Sequence, residues 1–364
     1  MTSAMNFRIS FSGGGFRATF FGLGVYRRLV ALNLHNHISH INSVSGGSIV
    51  AAQILNALSY GNFKSIEDFD LRVTKPLIIL GQCRLRQKML YRVIYPSLPR
   101  RRFSKLFPKL LDRYLFNGRT LRELPEYPEL SIHSTCLNTG KRFRFKQRDM
   151  GGNIIGVTQN NDTTKISFAV ACSAAFPMLF APYRLKTEGL KFYQRWWTNN
   201  PITNDKNLPP ILYLSDGGVY DNLGSESIIK YDDRFIVCDA SGFLEQWEYT
   251  KMPNWLSLNW RPLDTGLDQI VLLRRRLLYQ KSKEVKGCQL ILRDSINKVL
   301  QNPENYGSLS KKVFDLPDYE LMSEEHQNYL GNIRTDLDGF HDIEIKSLMW
   351  SGAVRADIVV NRYL

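Results

Sequence analysis

Ile41-Asn42-Ser43-Val44-Ser45-Gly46-Gly47-Ser48-Ile49-Val50 is the stretch on which the fold turns. An apolar run with β-branched residues leads into Ser45, and Gly46, Gly47, Ser48, Ala51 and Ala52 open a helical pattern after it. A sharp strand-to-helix turn needs small neighbours because its flanking backbones nearly touch. A serine at its apex points its hydroxyl at a helix N-terminus, where developing negative charge is stabilised. Ser45 is therefore the candidate nucleophile.

Upstream, Phe7-Arg8-Ile9-Ser10-Phe11 alternates like a strand and runs into Ser12-Gly13-Gly14-Gly15-Phe16-Arg17-Ala18. Ala18, Gly22, Val25, Leu29 and Leu32 then share one face of a helix, and a second strand, around His40 to Val44, ends at Ser45. Strand, glycine loop, helix, strand, elbow and helix form a right-handed parallel crossover. Both loops of such a unit leave the carboxyl edge of the sheet, where open α/β folds bind ligands. The glycines lack the Gly-Lys-Ser/Thr continuation of a phosphate loop and the spacing of a dinucleotide fingerprint. They suit an oxyanion hole, with N–H groups of Gly13 and Gly14, joined by Gly46, facing the oxygen that turns negative when Ser45 attacks a carbonyl.

The 364 residues, 43% of them hydrophobic, suffice for a large α/β core in one domain. The five cysteines (Cys83, Cys136, Cys172, Cys238, Cys288) are scattered, odd in number and mostly set in apolar runs, which argues against a disulfide framework or a metal site. The amino terminus lacks the pattern of a signal peptide, and no apolar run approaches the ~18 residues of a membrane span, so a soluble, cytoplasmic protein is expected. The net charge of +14 favours a polyanionic partner, a lipid surface or nucleic acid.

A helical insertion is expected at about 63–117. From Arg84 to Arg113 it interleaves ten basic residues, among them Arg100, Arg101 and Arg102, with aromatic and aliphatic ones against the single acid Asp112. That composition suits partial insertion into an anionic interface, or else a solvated basic face over an ordinary core face. Strands are expected at Leu130 to Leu137, at Phe143 to Phe145, at Pro210 to Leu214 and at Arg234 to Cys238. The small-residue run Ile166 to Phe176 reads as strand or helix. Trp196 and Trp197 suit either a lipid interface or a core. A long amphipathic segment near 263–285 and a helix near 343–360 belong to a C-terminal extension at about 255–364.

Ser45 needs a base. His35, His37 and His40 fall on the far side of the sheet, His133 lies inside a strand, and His326 and His341 sit in polar C-terminal segments without a local signature. Asp216 is better placed than Asp221 or Asp239: it comes first off its strand, at the carboxyl edge shared with Ser45, and Gly217 and Gly218 let the chain turn behind it. A carboxylate near pKa 4 is a weak base, so partial burial is expected to raise it.

Ser12 to Ala18, Ser43-Val44-Ser45-Gly46-Gly47, Ala171-Cys172-Ser173-Ala174-Ala175-Phe176-Pro177 and Asp216-Gly217-Gly218 together resemble, in order and spacing, the patatin-like phospholipases, over about residues 6–225. The resemblance implies a three-layer α/β fold with a mostly parallel central sheet and a Ser-Asp dyad needing neither histidine, metal nor cofactor. It implies cleavage of acyl esters of membrane phospholipids or related lipids, with peripheral membrane association. By position, Ser45 is the nucleophile, Asp216 the base, Gly13, Gly14 and Gly15 the oxyanion loop and Arg17 a substrate-binding residue. Ser43 departs from the glycine of the family's elbow. An activating ligand or protein partner stays open, and nucleic acid is disfavoured. The competing readings are a serine esterase or thioesterase on soluble substrates, and a catalytically silent membrane or nucleic-acid binding protein.

Overall fold

The computed structural model of the chain describes residues 6–83, 103–159, 163–177, 180–193, 208–242, 244, 246–247, 253–294 and 323–363. Its centre is a sheet in the order β10-β9-β1-β2-β3-β4-β5-β6. The strands are β1 (Phe7–Phe11), β2 (Ile38–Val44), β3 (Glu129–Cys136), β4 (Lys141–Phe145), β5 (Met150–Gly152), β6 (Gly156–Thr158), β7 (Tyr183–Lys186), β8 (Ile211–Asp216), β9 (Arg234–Asp239) and β10 (Gly287–Ile291). From β10 to β3 every pairing is parallel, and beyond β3 the strands run antiparallel.

The three layers follow from the two-residue period of the strands. Along β9, Ile236 and Cys238 enter the main core while Phe235 and Val237 enter a second one with Leu223, Ile228, Val271 and Leu278. The main core holds the first helix (Gly15–Ala31), the elbow helix (Gly46–Leu58) and the C-terminal helix (Asp342–Tyr363), and the second lies under the long helix (Trp255–Glu284). The first helix is buried on all sides except at Arg28 and Ala31, where the sequence pattern had one apolar face. The C-terminal helix covers the rest: a Cβ on Gly24 would lie 1.9 Å from Met349 O, and one on Gly352 would lie 2.3 Å from Phe21 O. The two backbones touch, and only glycine permits that approach.

The small-residue run is a helix, Ile166–Ser173. The described parts of the insertion are helical, and Phe107, Leu110 and Leu111 are buried in the main core, so these apolar residues face inward and not toward a lipid surface. Residues 84–102, with Arg100, Arg101 and Arg102, and the Trp196-Trp197 pair lie outside the described residues.

Candidate active site

Ser45 stands between β2 and the elbow helix with φ 51° and ψ −122°. A non-glycine residue at positive φ is strained and persists only where its surroundings over-determine it. The small neighbours have a visible cause, since a Cβ on Gly46 would lie 1.8 Å from Gly15 O and one on Gly47 would lie 2.5 Å from Phe11 O. The elbow is wedged against the glycine loop, as the crossover requires.

Asp216 reaches Ser45 by a route the sequence did not suggest. β2 pairs with β3 up to Val44 opposite His133, and β8 pairs with the same edge of β3, antiparallel, beginning at Asp216 opposite Ser134. The two strands meet head to head along β3. β8 thus approaches from the direction opposite to β2, and the carboxyl ends of the two strands meet, with Asp216 beside Ser45. Thr135 Oγ1 donates to Asp216 O at 2.7 Å and holds the junction.

The Asp216 carboxylate is buried, accepts one hydrogen bond from Gly218 N–H at 2.7 Å, and leaves Oδ2 without a partner of full hydrogen-bond geometry. Burial pushes its pKa up to about 6, while the Gly218 N–H and the neighbouring Ser45 hydroxyl hold it down by less. A carboxyl so placed is a better base than a free aspartate and still ionises near neutral pH.

The glycine loop divides its labour. Gly13 N–H donates to Asn222 O at 2.9 Å, so it is committed, contrary to the expected oxyanion role. The N–H groups of Gly14, Gly15 and Gly46 make no hydrogen bond among the described residues. Gly14 has φ 140° and Gly15 φ 56°, and a Cβ on Gly15 would sit 2.2 Å from the carbonyl oxygens of Thr335 and Asp336. The glycine at 15 thus answers the protein's own C-terminal segment.

Arg17 also differs from expectation. Its guanidinium is buried and donates to Ala240 O at 2.7 and 3.2 Å, to Gly331 O at 3.0 Å and to Ile333 O at 2.9 Å, and the residue does not line the cleft. It ties the first helix to the end of β9 and to the C-terminal segment. The same burial lowers its pKa to about 10, and Arg293 adds to that while Asp239 opposes it.

Ser45, Asp216, Gly14 and Gly15 open into a cleft of about 440 Å³. Phe176, Phe180, Leu267, Val271 and Leu337 make it apolar, and Asn222, Ser241, Arg261, Asp264, Asp268 and Asp336 give it polar edges. Asn222 lies just beyond the Asp-Gly-Gly turn and anchors to Ser241 Oγ at 2.9 Å. The wall from the long helix and from Thr335–Leu337 had no motif in the sequence; the amphipathic period of 263–285 was its one signal. No histidine lines the cleft among the described residues. His133 is buried within β3, where burial first and then Arg142, Arg144 and Lys146 keep its pKa well below the ordinary value.

A family model described as patatin-like phospholipase matches residues 9–228. Two solved structures of human GIVD cytosolic phospholipase A2, one in complex with methyl gamma-linolenyl fluorophosphonate, align over 98% of this chain with 13% identity and a TM-score of 0.52. The alignments cover 58% and 59% of those chains, so this chain spans somewhat over half the length of these relatives. VipD from Legionella pneumophila aligns over 91% of this chain and 66% of its own, with 15% identity and a TM-score of 0.32, too low to carry an argument. No curated protein sequence matches the chain. At such identities the structural likeness speaks for the fold.

Proposed function

The chain belongs to the patatin-like phospholipase family, and on that premise we propose that it cleaves acyl esters of membrane phospholipids through a Ser45–Asp216 dyad. The observation that carries this reading is the head-on meeting of β2 and β8, which sets a strained serine at a helix N-terminus beside a buried carboxyl raised to about 6.

In this mechanism Asp216 takes the proton of Ser45 Oγ as that oxygen attacks the ester carbonyl. The oxyanion is met by N–H groups of Gly14, Gly15 and Gly46, each such donor worth ~3 kcal/mol of barrier. The proton returns from Asp216 to the leaving alcohol, and the acyl group stays on Ser45. Water then attacks the acyl-enzyme with Asp216 again as base, releasing the fatty acid and the free hydroxyl. The apolar cleft wall receives the acyl chain.

A lipid surface as the place of work is supported by the outer face of the long helix. Trp255 (76% exposed), Leu258, Leu263, Leu273 and Leu277 point to solvent, Arg276 joins them, and the opposite face of the same helix lines the cleft. Apolar and cationic residues on one helix face suit an anionic interface. Among the described residues no helix is long and apolar enough to cross a membrane.

Ser45→Ala and Asp216→Asn test the dyad. Each should lower hydrolysis of a soluble ester and of phospholipid vesicles by three orders of magnitude or more, of the size seen for catalytic serines and their bases, with circular dichroism unchanged. An alkyl fluorophosphonate should phosphonylate Ser45 with loss of fluoride, adding the reagent's mass less HF, in the wild type only. Full turnover by either variant would sink the mechanism. Turnover on soluble esters with none on vesicles would instead favour a soluble-ester hydrolase.

A further inference from the structure

The run Ala171 to Pro177 touches neither acyl chain nor oxyanion in that mechanism except through its apolar wall, yet its hydrogen bonds converge on both members of the dyad. Ser45 N–H donates to Ser173 Oγ at 2.9 Å, and Ser173 Oγ donates to His133 O at 2.5 Å. His133 is the residue of β3 facing the last residue of β2, at the junction where β8 arrives. With its one proton spent on His133 O, Ser173 Oγ has both lone pairs to offer. One takes the Ser45 N–H and the other faces Ser48 Oγ at 2.9 Å, whose single proton is shared between Ser173 Oγ and Ser43 Oγ, the latter at 3.1 Å. Ser43, Ser48 and Ser173 are fully buried.

The backbone of the same short segment holds the other half of the pair. Gly217 N–H donates to Ser173 O at 3.0 Å, and Asp216 N–H donates to Ala175 O at 3.0 Å. Ser215 Oγ donates to Ala175 O as well, at 3.0 Å. Three consecutive residues, Ser173 to Ala175, therefore grip the nucleophile's peptide on one side and the base's peptides on the other.

We infer that Ser173 is a positioning residue that fixes the strained Ser45 peptide relative to Asp216, with Ser48 and Ser43 completing its hydroxyl chain. A peptide at φ 51° relaxes unless it is held, and Ser173 Oγ is the group that holds the Ser45 N–H. The hydroxyl that stands where the family's elbow carries glycine thus takes part in the scaffold, because Ser43 closes the far end of the chain against Ser48. The inference rests on the Ser45–Asp216 reading, which Ser45→Ala tests independently.

The experiment is steady-state hydrolysis of a soluble p-nitrophenyl ester, with kcat expressed per active site titrated by alkyl fluorophosphonate. Ser173→Ala should lower kcat per titrated site about 10- to 100-fold, the scale of a misplacement near 1 Å. KM should stay within about twofold, since Ser173 does not line the cleft. Ser173→Cys, which keeps size and a weak donor, should recover part of the loss. Ser48→Ala should fall between wild type and Ser173→Ala, and Ser43→Ala should cost least. Unchanged kcat per titrated site in Ser173→Ala, with any loss accounted for by fewer titratable sites, overturns the inference and leaves Ser173 a packing residue. If Ser173→Ala does not fold, Ser48→Ala decides, and wild-type kcat per site in it overturns the inference equally.

Discussion

At the scale of single residues, Asp216 carries opposite consequences for activity and stability. Its pKa rises from 3.8 to about 6 because burial penalises the charged form. As general base it must be ionised, so kcat/KM on a soluble ester should fall as pH drops through about 6. Stability runs the other way. Between the unfolded value and about 6 the folded state binds more protons than the unfolded one, so stability is full below the unfolded value and is lost as pH rises through the window. The loss is of order 3 kcal/mol for a two-unit shift. Asp216→Asn keeps an acceptor for Gly218 N–H and removes the buried charge, so its Tm should exceed that of wild type at pH 8 and match it near pH 4. A variant no more stable at pH 8 would contradict the assigned shift. His326→Ala and His341→Ala should retain most of the turnover, because neither residue lines the cleft. A loss of three to four orders in either, the size typical of triad members, would make histidine the base.

At the scale of elements, the C-terminal part is built into the site. β10 extends the parallel sheet beside β9, the long helix walls the cleft, and Phe16 N–H donates to Asp336 O at 3.0 Å beside the glycine loop. Arg17 is the bolt between these pieces. Arg17→Met should cost about 3 kcal/mol or more by leaving buried carbonyls without a donor. It should also expose the segment near 331–337 to limited proteolysis and raise KM, since Thr335–Leu337 line the cleft. A raised KM with neither destabilisation nor new cleavage would return Arg17 to substrate binding. Gly24→Ala should destabilise by about 1–3 kcal/mol through overpacking at the helix crossing, read as a lower Tm.

At the scale of the whole molecule, the charge of +14 and the exposed apolar face of the long helix both bear on the proposed lipid surface. Binding to vesicles should rise with the fraction of anionic lipid and weaken with salt, as screened attraction does. Trp255→Ser with Leu258→Ser should weaken vesicle binding at high salt, where the apolar contribution remains. Changing Arg100, Arg101 and Arg102 to Ala should weaken it at low salt, by ~1 kcal/mol per charge near the surface. Trp255 and Leu258 do not line the cleft, and Arg100, Arg101 and Arg102 are remote in sequence from the dyad and the glycine loop, so hydrolysis of a soluble ester should be unchanged. Affinity lost for RNA or DNA rather than vesicles would assign the charge to nucleic acid.

The sequence alone determined the elbow at Ser45, the glycine loop, the Asp-Gly-Gly turn, the early strand-helix-strand unit and the family. These are local demands: a strand-to-helix turn at positive φ tolerates few residues, and the chain carries them contiguously. Only the tertiary structure decided that β8 runs antiparallel and meets β2 head to head, because strand direction depends on pairing with β3 about 80 residues earlier. It also decided that the Gly13 N–H is spent on Asn222, that Arg17 binds carbonyls 223 to 316 residues away, and that the long helix and Thr335–Leu337 wall the cleft. A carbonyl acceptor carries no side-chain signature, so no spacing in the sequence could have revealed which backbone a guanidinium or an amide would find.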